Sequence, residues 1–525
     1  MDQLNITNNT GTPEERAALF DQILEKIMAR DAFVPIKLAR LNVDVRKDIL
    51  KYRDEMIAAD TDEKLLYTIL KINNARKDPH VRVYLVENGL KIEGTEKLAK
   101  PIRIDQMEKK QAPIRFTVDY SRPGKYFLFV ADYATNIYKY TTNIGPEIGD
   151  KLIAVNGYSF ADYFNLVEPY HRYATVNSLW WKMATFVSQK RYEYPPHIYG
   201  EELNYLLERK DGQRYIISLP YISDVDSITW KGCYKQPGDF RYPDFNLLFK
   251  TSTYDLYKYS GDQKVVLLDW HRFDQNIIKN MDYLVDYANE NRLLDYAMIF
   301  DATRSRGGML GAYAIQRISA KPFKTTFGNV RISDIVEPFI QYMHQRRATD
   351  SINESVDGGD WLLDWLDTDV KQAIKEEKYY SNNVPFKSAH LPKDSAGILQ
   401  PAPIHFSGDL VCWFSPHGGS HLDQFSAMIA DNHLAYTIGM PTGGYSNTWE
   451  WEETIYFPIS KKPVVRLMYS MGHTIRPNKQ LLEGNPADVS EYIPQTRDNY
   501  LNYYRILLAK TFQYLKCKKG DEVDG

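Results

Sequence analysis

The chain has 525 residues, and at roughly 150 residues per domain that excludes a single small module. Its 25% charged and 43% hydrophobic content is that of a folded protein, not of a disordered or fibrous chain. With 65 basic against 68 acidic residues and a net charge of −3, it lacks the basic excess that neutralises phosphates, so nucleic acid is not an expected partner. No apolar run approaches the roughly 18 residues that a membrane span requires. The first eleven residues lack the basic and apolar stretches of a signal peptide. A leader already removed would leave no trace, so the compartment stays open between secreted or periplasmic and cytoplasmic. Cys233, Cys412 and Cys517 are too scattered for a disulfide framework or a structural zinc site. Two sequons, at Asn5 and Asn8, sit in an Asn-rich start that produces such triplets by chance.

Thr12, Pro13 and Glu15 form a helix start, and Leu19, Phe20, Ile23, Leu24 and Ile27 repeat with the helical period, so residues 13–31 read as a helix. Helical patterning continues over 46–74, giving a helical region over 1–80 that stops at Asp78-Pro79-His80, where proline disfavours the α conformation of the residue before it. Val81, Val83 and Leu85 then alternate as a strand. The stretch 113–222 reads as β-rich, with strands at 126–130, 151–155 and 215–219 and an Asn156-Gly157 turn between hairpin arms. The run Gly149-Asp150-Lys151-Leu152-Ile153-Ala154-Val155-Asn156-Gly157 resembles the PDZ domains inserted in C-terminal-processing peptidases. That likeness implies a module able to add an extended peptide as a strand, with the Tyr- and Trp-rich segment 161–200 as an insertion.

From 254 onward the pattern alternates strands (265–268, 296–301, 409–414, 435–438) with helices (274–290, 309–318, 420–432), as expected of an α/β core with a mostly parallel sheet over 254–344 and 401–515. The polar stretch 345–400 reads as an insertion with some helix at 360–377.

Ser420 lies between a buried strand and a helix, after Gly418-Gly419. A serine there is either a helix cap or a nucleophile beside backbone N–H groups able to hold an oxyanion. The order Ser420-His421-Leu422-Asp423, Asp431-Asn432, a strand at 435–438 and Gly439-Met440-Pro441-Thr442-Gly443-Gly444 resembles the C-terminal-processing (tail-specific) peptidase superfamily, which includes tricorn protease. Upstream, Asp301 to Gly308 resembles that family's oxyanion loop. The resemblance implies an α+β multidomain protein: a ClpP/crotonase-like core, a PDZ-like module and a helical N-terminal region. It implies Ser420 as nucleophile, with amides of Gly307 or Gly308 and of His421 holding the oxyanion.

Where the Ser/Lys branch of the family carries its lysine this chain has Tyr445, and an ordinary phenol is a poor base at neutral pH. Asp78-Pro79-His80 resembles the segment that supplies histidine in the tricorn-like Ser/His branch, which nominates His80 as base. Leu481-Leu482-Glu483 resembles the step that supplies the orienting acid, which nominates Glu483, with Glu450, Glu452 and Glu453 as rivals. His417, His421 and Asp423 do not have the spacing of a metal site, so neither metal nor cofactor is expected. The reading is a serine endopeptidase with a polypeptide substrate, of open oligomeric state. The alternative is a non-catalytic ligand- or peptide-binding member of the same fold.

Overall fold

The computed structural model describes residues 10–521 apart from 93–94, 96–97, 99, 108, 142–144, 233–241, 350–360 and 387–390. Both sequon asparagines and Cys233 lie outside the described residues. Helix α1 (Pro13–Arg30) starts as the sequence predicts, with Thr12 and Glu15 forming a reciprocal capping box. The helical pattern of 46–74 is broken into α3 (Val45–Leu50), α4 (Arg53–Ala58) and α5 (Asp62–Asn74), after α2 (Val34–Leu41). The last break has a local cause: Thr61 caps α5 through the Lys64 N–H. Strands β1 (Val83–Leu85) and β2 (Ile102–Arg103) follow as an antiparallel pair.

A second sheet contains β3 (Ile114–Asp119), β4 (Phe127–Tyr133), β5 (Lys151–Val155), β6 (Tyr158–Ser159), β7 (Glu202–Glu208) and β8 (Arg214–Pro220). Its order is β8-β7-β5-β4-β3, with β6 turned back on β5 through the Asn156-Gly157 turn. Between β6 and β7 lie α6 (Phe160–Val167) and α7 (Val176–Phe186). Strand β3 is the sheet's edge, but just beyond it the Tyr120 N–H bonds the Gln495 carbonyl, and Gln495 bonds Thr117. The chain's own C-terminal segment therefore lies along the far end of that edge, from Thr117 to Tyr120.

The third sheet is built from β9 (Phe245–Lys250), β10 (Tyr254–Tyr259), β11 (Val265–Trp270), β13 (Ala297–Asp301), β15 (Leu410–Phe414), β16 (Tyr436–Gly439) and β19 (Glu491–Tyr492) in that order. From β11 onward all neighbours are parallel. The alternation of the strand side chains divides this sheet's core in two. Val266, Leu268, Phe300 and Cys412 face one apolar layer with α8 (Ile277–Glu290), α9 (Gly311–Ile318) and α13 (His421–Asp431). Leu267, Ile299, Val411 and Trp413 face the other with α14 (Tyr503–Asp521). A short parallel pair, β12 (Arg272–Phe273) with β14 (Arg306–Gly308), extends the β11 and β13 ends. Strands β17 (Glu450–Tyr456) and β18 (Pro463–Ser470) form a hairpin onto which β1 pairs.

The stretch 345–400, which reads as a polar insertion, takes part in the core. After α10 (Val336–Thr349), the short helices α11 (Leu362–Trp365) and α12 (Lys371–Lys375) are joined by a π-turn, and Leu362, Trp365, Leu366 and Val370 are buried in the same apolar cluster as α1, α5 and the second sheet. Their spacing of three and four residues is a helical stripe diluted by acids and lysines. No helix among the described residues is long and apolar enough to cross a membrane.

Candidate active site

The carboxyl ends of β13, β15 and β16 deliver three loops, 301–308, 415–420 and 440–445, to one edge of the parallel sheet, where open α/β sheets place their sites. Ser420 sits at the entrance to α13 with φ 60° and ψ −123°, and its hydroxyl caps nothing. A capping serine adopts extended backbone and spends its oxygen on the helix N–H groups. The helix-cap reading of Ser420 is therefore overturned. Its Oγ lies 3.1 Å from His80 Nε2, across 340 residues of sequence.

The turn that presents His80 is closed by Asp78, whose Oδ1 accepts the His80 backbone N–H at 2.8 Å and whose Oδ2 accepts the Ser470 hydroxyl at 2.6 Å. The same Oδ1 is 3.6 Å from His80 Nδ1. Burial works against the Asp78 charge, but the His80 hydrogen bond, the neighbouring imidazole and Lys37 hold the carboxyl well below the usual range. Guanidiniums fix the carbonyls on either side of His80: Arg82 bonds that of Pro79, and Arg172 that of Val81 at 2.8 Å.

Glu483 lies one layer behind. Its Oε1 pairs with Lys37 Nζ at 2.7 Å, both side chains being buried, and Lys37 also donates to the Lys77 carbonyl at 2.8 Å. Burial pushes the Glu483 carboxyl up, and the Lys37 ammonium pulls it back toward the charged form. Its Oε2 and His80 Nδ1 are both buried without a hydrogen-bond partner among the described residues. The rivals are engaged elsewhere: Glu450 with Asn447, Glu452 with Tyr84, Glu453 with Lys26 and Arg30.

Glycine is required at 307 and 308. A Cβ at Gly307 would stand 2.4 Å from the Gly419 carbonyl, 2.8 Å from Ser420 Cβ and 3.0 Å from the His421 backbone nitrogen. At Gly308, with φ 152°, it would meet the Phe273 carbonyl at 1.5 Å. This loop can press its backbone against Ser420 only without side chains. The imidazole of His421 is used structurally, its Nε2 accepting the Gly311 N–H at the start of α9.

Asp423 organises the third loop. Fully buried, it accepts the Gly444 and Tyr445 N–H groups at 2.9 Å each and the Thr442 hydroxyl, while the Tyr445 carbonyl accepts the Ser420 N–H at 2.8 Å. Burial pushes its carboxyl up, to about 7. His417 packs against Trp181 instead, with ring centroids 4.5 Å apart and the planes tilted, so the three residues weighed as metal ligands point to separate partners.

Asp423→Ala should lower stability by about 2–4 kcal/mol, because two buried N–H groups and a hydroxyl lose their acceptor. The cost should show as a fall in the urea midpoint. The folded carboxyl takes up its proton near pH 7 and the unfolded one only near its ordinary value of 3.8. The folded state thus binds more protons between those values, and the Asp423 contribution to stability should grow as pH falls from 7 toward 4. An unchanged midpoint in Asp423→Ala at every pH would refute this role.

Sequence reasoning gave Asp78, Lys37 and the segment of α7 no role at the site. Asp78 had a readable signal, an Asp two residues before His, the spacing of a side-chain-closed turn. Helix α7 docks on the site through Thr175 Oγ1, 3.0 Å from the Gly443 carbonyl, and lays Trp181 over His417 and Lys182 over the Tyr445 ring at 5.8 Å. The Tyr445 ring in turn meets His80 edge-on at 5.3 Å.

A hydroxyl in contact with an imidazole, backed by buried carboxylates and faced by side-chain-free backbone, is a constellation able to move a proton off the hydroxyl and stabilise an oxyanion. No family model matches the chain, and no curated protein matches it. Among solved structures the fold is shared with CPAF. Mature CPAF is 12% identical, with a TM-score of 0.68 over 96% of this chain and 97% of that one. Mature CPAF complexed with lactacystin gives 0.67 at the same identity, over 96% and 98%. The photosystem II D1 C-terminal processing protease aligns over 91% and 92% at 9% identity with a TM-score of 0.38, too loose a likeness to argue from. At these identities the likeness to CPAF establishes the fold.

Proposed function

We propose that this chain is a serine peptidase of the C-terminal-processing superfamily, working through Ser420 and His80. The observation that carries the reading is the 3.1 Å contact between Ser420 Oγ and His80 Nε2, made by a serine whose strained backbone and unused hydroxyl serve no cap. In the mechanism His80 takes the Ser420 proton as Oγ attacks the scissile carbonyl, then gives it to the leaving amine. Amides of Gly307 or Gly308 and of His421 hold the oxyanion, where loss of one donor typically costs about 10²–10³ in rate. The imidazolium is stabilised by Asp78 and, behind it, Glu483.

The same reading takes the parallel sheet over 254–344 and 401–515 as a ClpP/crotonase-like core, 113–222 as the PDZ-like module, 1–80 as the helical N-terminal region and 345–400 as an addition to the core. A ligand-binding member without catalysis is the second reading, favoured by Tyr445 and by a cavity of about 350 Å³ beside the site, lined by Trp181, His417, Trp270, Tyr503 and Tyr504. A fluorophosphonate probe separates the two. Labelling that disappears in Ser420→Ala supports the peptidase, and absence of labelling in the wild type supports the binding protein.

Burial beside Asp423 pushes the Tyr445 phenol up, to about 12, so it stays protonated throughout the neutral range. Tyr445→Phe should therefore leave the acidic limb of kcat/KM in place and change its height by less than about tenfold. A limb that moves or vanishes in Tyr445→Phe would make the phenol the base.

A further inference from the structure

The cavity of about 350 Å³ beside the site is formed where the parallel sheet meets the second sheet and the C-terminal segment. Four neighbouring parallel strands each deliver a lining residue from their carboxyl ends: Trp270 from β11, Thr303 from β13, Ser415 from β15 and Met440 from β16. Such a crevice is where open α/β sheets bind their ligands. The far end of β3 is taken by the C-terminal segment, so what the second sheet offers here is a wall, with Tyr120 beside Trp181 of α7.

The walls offer ring surface more than polar atoms. Each lining tyrosine commits its hydroxyl within the protein: Tyr120 to the Asn177 carbonyl at 3.2 Å, Tyr500 to the Ala131 carbonyl at 3.2 Å, Tyr503 to the Ile493 carbonyl at 2.7 Å and Tyr504 to the Thr303 hydroxyl at 2.9 Å. His417 adds a neutral ring, because burial and the charges of Arg306 and Arg304 push its imidazole down to about 4. The ionic groups at the other wall are matched. Asp269 pairs with Arg304 at 3.2 Å, and His271 faces Asp255, which pairs with Lys250 at 3.3 Å. Ring faces with balanced charge suit an aromatic guest, not an ion.

Chain length ties the cavity to the nucleophile. His417 stands three residues before Ser420 and Arg304 three before Gly307, so both walls lie within about 11 Å of the groups they precede. Gly307 in turn lies against Gly419 and Ser420. A polypeptide extended across Ser420 advances about 3.3 Å per residue and covers that distance in about three. We propose that the cavity is a specificity pocket, taking a Phe, Tyr or Trp side chain of the polypeptide within about three residues of the scissile bond, with Trp181 as its selecting wall. This rests on the peptidase reading and names its substrate class.

The test is to digest an unstructured peptide library with the full chain and map the cut bonds by mass spectrometry. Aromatic residues should be enriched within about three positions of the scissile bond. Matched peptides with Phe or Ala at the enriched position should then differ about ten- to a hundredfold in kcat/KM, the range that burying one large apolar side chain supplies. Trp181→Ala should lower that ratio several-fold, and Trp181→Phe should keep most of it. Tyr504→Leu, on the C-terminal wall, should also lower the ratio, and keeps the test open even where Trp181→Ala fails to fold. Cuts without aromatic enrichment, or a ratio indifferent to either cavity variant, overturn the proposal and leave the peptidase standing. A library left uncut overturns both.

Discussion

Ser420→Ala should lower kcat/KM by about 10⁴–10⁶, the scale on which serine hydrolases lose their nucleophile, with almost no change in thermal midpoint. The two halves of this expectation come from the same geometry. Because the Oγ caps no helix N–H and, among the described residues, bonds only His80, deleting it removes one contact and no secondary-structure bond. The residue's φ of 60° with ψ of −123° is a conformation that alanine and serine both occupy at a cost and glycine occupies freely. Ser420→Gly should therefore be as inactive as Ser420→Ala and more stable by about 1 kcal/mol. Stability traded for the placement of a hydroxyl is what an active site would produce, and a helix cap would show the opposite ordering. A folded Ser420→Ala protein that still hydrolyses peptide bonds would end the proposed mechanism.

Loss of either buried carboxylate behind His80 should be nearly as damaging, with Asp78→Asn and Glu483→Gln each lowering kcat/KM by about 10²–10⁴. Asp78 closes the turn that aims the imidazole and carries the charge nearest Nδ1. Glu483 acts through Lys37. With the Glu483 charge gone, a fully buried ammonium loses its counter-ion and turns its charge on Asp78, weakening the field that favours the imidazolium. The unpaired ammonium should also lower stability by about 3–5 kcal/mol, and Lys37→Met combined with Glu483→Gln should recover much of that loss without restoring activity. Wild-type turnover in Glu483→Gln would remove Glu483 from the machinery, and wild-type turnover in Asp78→Asn would remove Asp78.

The N-terminal helices join this site to the rest of the molecule through charge as well as packing. Arg76, following α5, is buried between Asp31 at 3.1 Å and the Met468 carbonyl at 2.9 Å, just behind the Asp78 turn. Lys37 from α2 reaches Glu483 from the far end of the chain. The His80 turn is thus held from the N-terminal region and from β18 at once.

Local order was written in the sequence. The capping box of α1, the Asn156-Gly157 hairpin and the buried runs of β11, β13, β15 and β16 follow from caps, turn chemistry and periodicity within a few residues, which is where such signals act. The resemblance of the segments around Ser420 and Asp78-Pro79-His80 to a peptidase family nominated the two residues that the fold brings to 3.1 Å. Tertiary structure alone decided the rest. It broke the helical pattern of 46–74 at the Thr61 cap, and it drew Leu362, Trp365 and Val370 from a polar-looking stretch into the core, because burial depends on what packs against a stripe and not on the stripe alone. It also decided which charges matter. Lys37, Asp78 and Lys182 read in sequence like any solvated side chain, and only the packing around them removes the water that would otherwise screen them.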